Sequence, residues 1–195
     1  MKAERGFTLI EIMVAVTIFA IVMMIGVGAL LSLIEVNKRA QGINSVINNL
    51  NAAVEEMSRS IRVGTTYHCE TSATPPSPSV LATVKDCTSG KGLLFAFEPA
   101  TGSLTDPNDQ EVYRLNGTHL ERSLQGGQNG TWVSLTAPEV QITSFQFFVI
   151  GSTPQSGSDN IQPRVVISIK GTAAVPGGPT DFSIQASVTQ RLIDI

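Results

Sequence analysis

The sequence predicts an α+β fold in which one long N-terminal helix packs on a mainly antiparallel β-sheet. An apolar run from Phe7 to Ile34 leads, without a proline, into an amphipathic stretch that ends at Gly64. Beyond about residue 80, short runs rich in β-branched and aromatic residues alternate with glycine-containing turns, as in antiparallel sheets. The total of 195 residues suits one domain carrying an anchor.

The apolar run is long enough to cross a membrane as a helix. It covers roughly 28 residues, or about 42 Å, against the roughly 30 Å of a bilayer core. Glu11 is its single charged residue. A cleaved secretory signal has an apolar region of only about 7–15 residues that ends at a small-residue cleavage site. This run is too long for such a signal, whereas hydrophobicity alone leaves an ordinary signal anchor open.

The start of the run, Gly6-Phe-Thr-Leu-Ile-Glu11, resembles the prepilin processing site of type IV pilins and type II secretion pseudopilins. A short basic leader precedes it and ends at Gly6. The resemblance implies a leader over residues 1–6, cleavage by a prepilin peptidase between Gly6 and Phe7, and N-methylation of Phe7. Glu11 would then lie one helical turn from the new N-terminus, on the same face.

The resemblance also implies a role for Glu11 in filament assembly. A carboxylate costs roughly 2.5–3.5 kcal/mol at the centre of a bilayer, so a compensating partner is expected. In this family the matching glutamate is thought to pair with the N-terminal amine of a neighbouring subunit. The implied partners are other pilin or pseudopilin subunits, the prepilin peptidase, an inner-membrane assembly platform and membrane lipid.

The same family implies a place in the cell. The protein would be a single-pass protein of the bacterial inner or plasma membrane, held by residues 7–34. Its C-terminal domain would be extracytoplasmic, and the subunit would be extracted into a pilus or pseudopilus.

Residues 35–64 are predicted to continue the helix as an amphipathic half that packs on the sheet. Apolar or small residues recur there at alternating steps of four and three, which is typical of such a helix. The stripe consists of Val36, Ala40, Ile43, Ile47, Leu50, Val54, Met57 and Ile61. Gly64 is the predicted C-cap. A coiled coil is the alternative, although the stripe is short and Gly42 weakens it.

Residues 65–195 form the predicted β-rich domain. Its first part, residues 65–79, contains three prolines and predicts a linker. The dipeptide Asn116-Gly117 predicts a hairpin with a type I′ turn. Apolar residues alternate with polar ones from Phe182 onward, which predicts one covered and one solvated sheet face. Strands are predicted over Val80–Lys85, Gly92–Glu98, Val112–Leu115, His119–Leu124, Thr131–Leu135, Val140–Ile150, Arg164–Lys170 and Phe182–Ile193.

The two cysteines, Cys69 and Cys87, predict a disulfide formed outside the cytoplasm. Such a bridge is worth on the order of 3 kcal/mol in the chain-entropy model. Two unpaired thiols or a metal site are the alternatives, and no cluster of histidines and cysteines accompanies the pair.

No catalytic residue, cofactor or metal site is predicted. The sequence has no nucleophile elbow and no phosphate-binding glycine loop. His68 and His119 are expected to be surface or half-buried residues. The segment Asp106–Glu111 lacks the sixth-position glycine and twelfth-position glutamate of an EF-hand, so a solvated turn is expected, with calcium binding as the alternative. Acidic residues outnumber basic ones after Gly64, so no nucleic-acid partner is expected.

These patterns favour a minor pilin or pseudopilin, a structural subunit and not an enzyme. The β-rich domain weakly resembles J-type minor pseudopilins of type II secretion, in the hairpin Tyr113–Arg122, the strand from Val140 to Phe148 and the C-terminal strand. The alternatives are an adhesin or DNA-uptake minor pilin that binds an extracellular ligand, and a membrane-anchored enzyme. Secretion, pilus and competence systems are not distinguished by the sequence.

Overall fold

The computed structural model describes residues 6–154 and 161–191. Two helices and nine strands follow one another along these residues. In chain order they are α1 Leu9–Val63, β1 Thr65–Glu70, α2 Pro78–Leu81, β2 Cys87–Gly92, β3 Leu94–Glu98, β4 Glu111–Asn116, β5 His119–Ser123, β6 Val133–Ser134, β7 Val140–Ile150, β8 Arg164–Ala173 and β9 Thr180–Thr189.

Helix α1 is continuous over 55 residues because no proline or cap interrupts it between Thr8 and Gly64. Gly64 is the C-cap, as predicted, and its N–H donates to the carbonyl oxygens of Ser60 and Ile61, each at 3.1 Å. Its backbone is extended (φ −77°), so a left-handed cap is not the reason for glycine. A Cβ here would lie 2.2 Å from Cδ2 of Phe97, and this close approach of β3 requires glycine.

The strands form two sheets, and all pairs of named strands are antiparallel. The first sheet has the order β1-β3-β4-β5-β6 and the second has the order β2-β7-β8-β9. The predicted α+β class with mainly antiparallel pairing is confirmed. The expectation of one sheet is wrong. Strands β2 and β3 are separated only by Leu93, yet they belong to different sheets.

Several strand predictions hold and others need correction. The bounds of β7 match the prediction at both ends, and β4, β5, β8 and β9 overlap their predicted runs, with residues 192–193 outside the described part. The predicted linker contains β1, because Tyr67 and Cys69 are buried there. The predicted strand Val80–Lys85 is wrong, since Pro78 starts the short helix α2 in its place.

The predicted hairpin joins β4 to β5, but its turn differs from the prediction. Asn116 pairs with His119, so Gly117 and Thr118 are the two central residues. Gly117 has a φ of +60°. The φ of Thr118 is not positive, because Thr66 is the one non-glycine residue with a positive φ in the described ranges. A positive φ at the first central position alone is typical of a type II′ turn, not of type I′.

The core lies where α1 meets both sheets. From α1 it receives Leu50, Ala53, Met57 and Ile61. From the strands it receives an aromatic cluster of Tyr67, Phe95, Phe97, Tyr113, Phe145 and Phe147. Each fully buried large side chain contributes about 1.5–3 kcal/mol. Strand β3 is buried on both faces, because a second cluster of Leu81, Leu94, Ala96 and Val112 covers its other side.

The packed face of α1 is shorter than the predicted stripe. Leu50, Met57 and Ile61 are buried, but Val36 is 63% exposed and Ile47 is 44% exposed. The domain reaches along α1 as far as Arg39 and Gly42: a Cβ on Gly42 would lie 2.9 Å from Cδ of Pro176, and one on Gly177 would lie 3.4 Å from Cδ of Arg39. The first half of α1 therefore extends beyond the domain.

Candidate assembly site

The first turn of α1 brings the predicted residue Glu11 against Thr8. The Glu11 backbone N–H donates to Thr8 Oγ1 at 3.4 Å, and the Thr8 backbone N–H donates to Glu11 Oε2 at 3.5 Å. This is a capping box, which satisfies N–H groups that otherwise lack partners at a helix start. The carboxylate also lies at the positive end of the helix dipole.

No part of the domain covers the N-terminal half of α1. Residues 6–41 are all exposed, and Phe7 (79%) and Ile10 (67%) are typical. The helix is long and apolar enough to cross a membrane, and no residue of its most apolar window is buried. Soluble monomers rarely expose an apolar surface of this extent, which fits a helix covered by lipid or by other helices.

Cys69 and Cys87 form a disulfide, as the sequence predicted, with their Cα atoms 5.7 Å apart. Cys69 belongs to β1 and Cys87 to β2, so the bond joins the first sheet to the second. Gly92 is part of the same site, because a Cβ there would lie 2.3 Å from Sγ of Cys69.

His68 is fully buried beside the disulfide, so the expectation of a surface or half-buried residue is wrong for it. Its Nδ1 lies 2.6 Å from the Thr83 carbonyl oxygen and its Nε2 lies 3.0 Å from Glu70 Oε1. The Lys85 ammonium lies 2.7 Å from the same carboxylate. Burial alone would raise the pKa of Glu70, but hydrogen bonds from Lys85 and His68 lower it. The arrangement holds the residues around the disulfide together. His119 is half-buried, as expected.

The segment Asp106–Glu111 is a solvated turn only in its first half. Asp106 is exposed, but Gln110 and Glu111 are buried and Glu111 starts β4. Asp109 accepts the Ser103 backbone N–H at 2.7 Å. No three or more His, Cys, Asp or Glu side chains in residues 6–154 and 161–191 are grouped so as to hold a metal ion.

A polar cluster fixes α1 to the first sheet, and sequence reasoning missed it. Arg122 on β5 forms ion pairs with Glu56 of α1 and, at 3.7 Å, with the buried Glu111. The Tyr113 hydroxyl donates to Glu111 at 2.5 Å. Burial raises the pKa of Glu111, although Tyr113 and Arg122 oppose that shift. The alternation of residues along β4 and β5 could have shown that Glu111, Tyr113 and Arg122 lie on one face of the sheet. Their contact with α1 could not be predicted, because it depends on the tertiary fold.

A family model described as the prokaryotic N-terminal methylation motif matches residues 1–27. The match supports the type IV pilin and pseudopilin family and indicates a pilin-like or pseudopilin protein that a prepilin peptidase processes. It favours a structural subunit over an enzyme and implies contact with other pilin subunits. Together with the apolar helix it fits a membrane anchor followed by a C-terminal domain. No curated protein and no solved structure matches the chain.

Proposed function

We propose that the chain is a minor pilin or pseudopilin, a structural subunit of a type II secretion pseudopilus or of a type IV pilus-like filament. The observation that carries this proposal is the methylation motif at the start of an uncovered apolar helix. In the membrane, lipid covers this helix. In a filament, the corresponding helices of neighbouring subunits take the place of the lipid.

Maturation removes residues 1–6 and leaves Phe7 as the N-terminal residue, which is then N-methylated. No atom of the described residues lies within 4 Å of a Cβ placed at Gly6, and Phe7 is exposed, so the cleavage site stands clear of the domain. The peptidase therefore reaches the bond without unfolding any packed element.

Glu11 sets the position of each subunit by pairing with the amine of a neighbouring Phe7. Among the described residues its carboxylate accepts from Thr8 alone, through bonds of 3.5 Å. These long bonds leave the carboxylate with acceptor capacity for a cationic partner. Cleavage supplies that partner, because it frees an ammonium group in apolar surroundings where an unpaired charge is costly.

Within this proposal the domain is extracytoplasmic, anchored to the bacterial inner or plasma membrane until an assembly platform extracts it. The Cys69–Cys87 disulfide supports that side, because disulfides form and persist in oxidising compartments. The J-type likeness of the hairpin at Asn116-Gly117 and of the β7 region supports a minor subunit of the secretion system. Co-purification with partner subunits of the type II system, as opposed to pilus proteins, tests that assignment.

Mass analysis of the N-terminus tests the maturation step. Protein extracted from membranes that contain a prepilin peptidase is expected to start at Phe7 and to carry one added methyl group. A chain that still starts at Met1 under those conditions would overturn the proposal.

A pair of substitutions tests the role of Glu11. Glu11→Gln removes the charge but keeps the size of the side chain, and it is expected to abolish incorporation into filaments while the protein still enters the membrane. Thr8→Val is the matched control, since it breaks the capping box and leaves the carboxylate in place. Helix capping is worth only about 1 kcal/mol, so Thr8→Val is expected to assemble. Both variants are compared by the amount of subunit in sheared filament fractions, and equal incorporation of Glu11→Gln and wild type would exclude the pairing.

A further inference from the structure

We propose that the turn between β8 and β9, together with the facing turn of α1, forms a groove that binds the phospholipid headgroups of the membrane holding α1. This inference rests on the proposed function in one respect, namely that α1 lies in a bilayer. It adds a contact between the folded domain and the lipid surface, before the subunit enters a filament.

The turn is suited to a membrane surface because residues 174–179 contain no charged side chain. Ala174, Pro176 and Pro179 are exposed. The Gly178 N–H donates to the Val175 carbonyl oxygen at 3.1 Å, which closes the turn on itself. The turn therefore presents a compact, uncharged tip with a backbone hydrogen bond already formed.

The tip lies against α1 just beyond the apolar run. Placing a Cβ on Gly177 would bring it 3.4 Å from Cδ of Arg39, and Pro176 approaches Gly42 still more closely. Between the helix and the tip lies a groove of about 500 Å³. It is lined by Glu35, Val36, Lys38, Arg39, Pro176 and Gly177.

The height of this groove corresponds to the headgroup layer. Arg39 lies five residues beyond Ile34, which is about 7.5 Å along a helix. A headgroup layer is about 5–8 Å thick on each side of the hydrocarbon core. The apolar run is longer than the core is thick, so tilting of the helix accommodates it and lowers the groove further toward the lipid.

The chemistry of the groove fits a phosphodiester. Lys38 and Arg39 supply donors that match phosphate oxygens, and basic residues next to a membrane span are attracted to anionic lipid. Glu35 shares the groove with these two cations. Its carboxylate keeps the net charge of the lining small, so the groove is suited to one headgroup phosphate and not to a broad anionic surface.

Spin labelling of the full chain tests the inference. Ala174→Cys places a nitroxide on the turn. Leu104→Cys places a matched control label on an exposed loop that follows β3. The end of β3 pairs with Thr65, next to Gly64, so this loop follows a strand end at the opposite end of α1 from the membrane. Both proteins keep the native disulfide and are reconstituted in vesicles of phosphatidylethanolamine and phosphatidylglycerol. The Ala174 label is expected to collide several-fold less with a water-soluble nickel chelate than the Leu104 label does. Replacing Lys38 and Arg39 by Gln is expected to remove most of that protection.

Each other outcome counts against the inference in a different way. If the protein floats with the vesicles but both labels collide equally with nickel, the headgroup site is wrong while the membrane anchor stands. If the protein does not float, the anchor and the headgroup site both fall. If protection of the Ala174 label appears only at a high ratio of protein to lipid, another subunit occupies the groove and the lipid assignment is overturned.

Discussion

Among single residues, Glu98 shows how the fold creates an electrostatic environment that the sequence does not reveal. It ends β3 and is 4% exposed, so its carboxyl group is largely withdrawn from water. Burial and the nearby carboxylates of Asp109 and Asp106 raise its pKa from 4.5 to about 7. These acids meet only because the loop between β3 and β4 folds back, and no spacing in the sequence predicts that contact.

The raised pKa of Glu98 predicts a loss of stability as pH rises. The folded state binds more protons than the unfolded state between pH 4.5 and about 7, so the stabilising contribution is complete below about pH 4.5 and is lost as pH rises through about 7. Glu98→Gln keeps a neutral side chain at every pH. The unfolding free energy of the variant minus that of wild type is expected to increase by about 2 kcal/mol between pH 5 and pH 8.

Denaturant unfolding of both proteins at pH 5 and pH 8 measures this gain. The comparison with the variant is needed because Glu111 and Glu70 also have shifted pKa values, upward and downward respectively. A stability difference between wild type and Glu98→Gln that is the same at both pH values would contradict the prediction.

At the scale of elements, predictability follows the locality of the signal. Helix α1 could be predicted because its proline-free run and Gly64 are local features. Strand β7 could be predicted because its run of β-branched and aromatic residues is also local, although its alternation shifts at a bulge between Ile142 and Ser144. Strand β1 could not be predicted from its polar sequence, since its pairing with β3 is what makes it a strand. Strand β3 lacks alternation because both of its faces are covered. The hairpin after β4 was predictable, but the turn type depends on which residues pair.

The junction between α1 and β1 provides a test of packing at Gly64. Gly64→Ala is expected to destabilise the domain by about 1–3 kcal/mol, because the added methyl group would overlap the Phe97 ring. The φ of −77° is allowed for alanine, so the effect would be purely steric. Gly26→Ala is the matched control, since its Cβ would meet nothing within 4 Å and it should leave the domain's stability unchanged. Thermal unfolding in detergent measures both, and equal midpoints for the two variants would contradict this account.

The whole molecule divides into a packed domain and a bare half-helix. The N-terminal methylation motif could be predicted because it is short and contiguous, and the family model matches the same segment. The two-sheet arrangement could not be, because β2 pairs with β7 across more than fifty residues of intervening chain. Which minor subunit the proposed function would assign is also beyond the sequence, since the J-type likeness rests on scattered positions.

Removing the bare half tests this division. A chain that starts at Glu35 is expected to be monomeric in aqueous buffer without detergent, because the large exposed apolar residues are concentrated before that point. Its unfolding free energy should lie within about 0.5 kcal/mol of that of the full chain in detergent, since residues 6–34 are exposed and stabilise nothing in the domain. Light scattering and denaturant unfolding provide the two measurements. Aggregation, or a large loss of stability, would show that the first half of α1 contributes to the domain fold.

If the subunit is extracted by its helix, as the proposed function has it, the disulfide has a mechanical consequence. Force applied along α1 passes through Gly64 into β1, and from Cys69 it crosses to Cys87 on the other sheet through a covalent bond. The two sheets then resist traction together, and neither is peeled away strand by strand. Reduction would remove this cross-link and leave the noncovalent contacts and the connecting backbone segments to carry the tension between the sheets, so a reduced subunit should open under a smaller load.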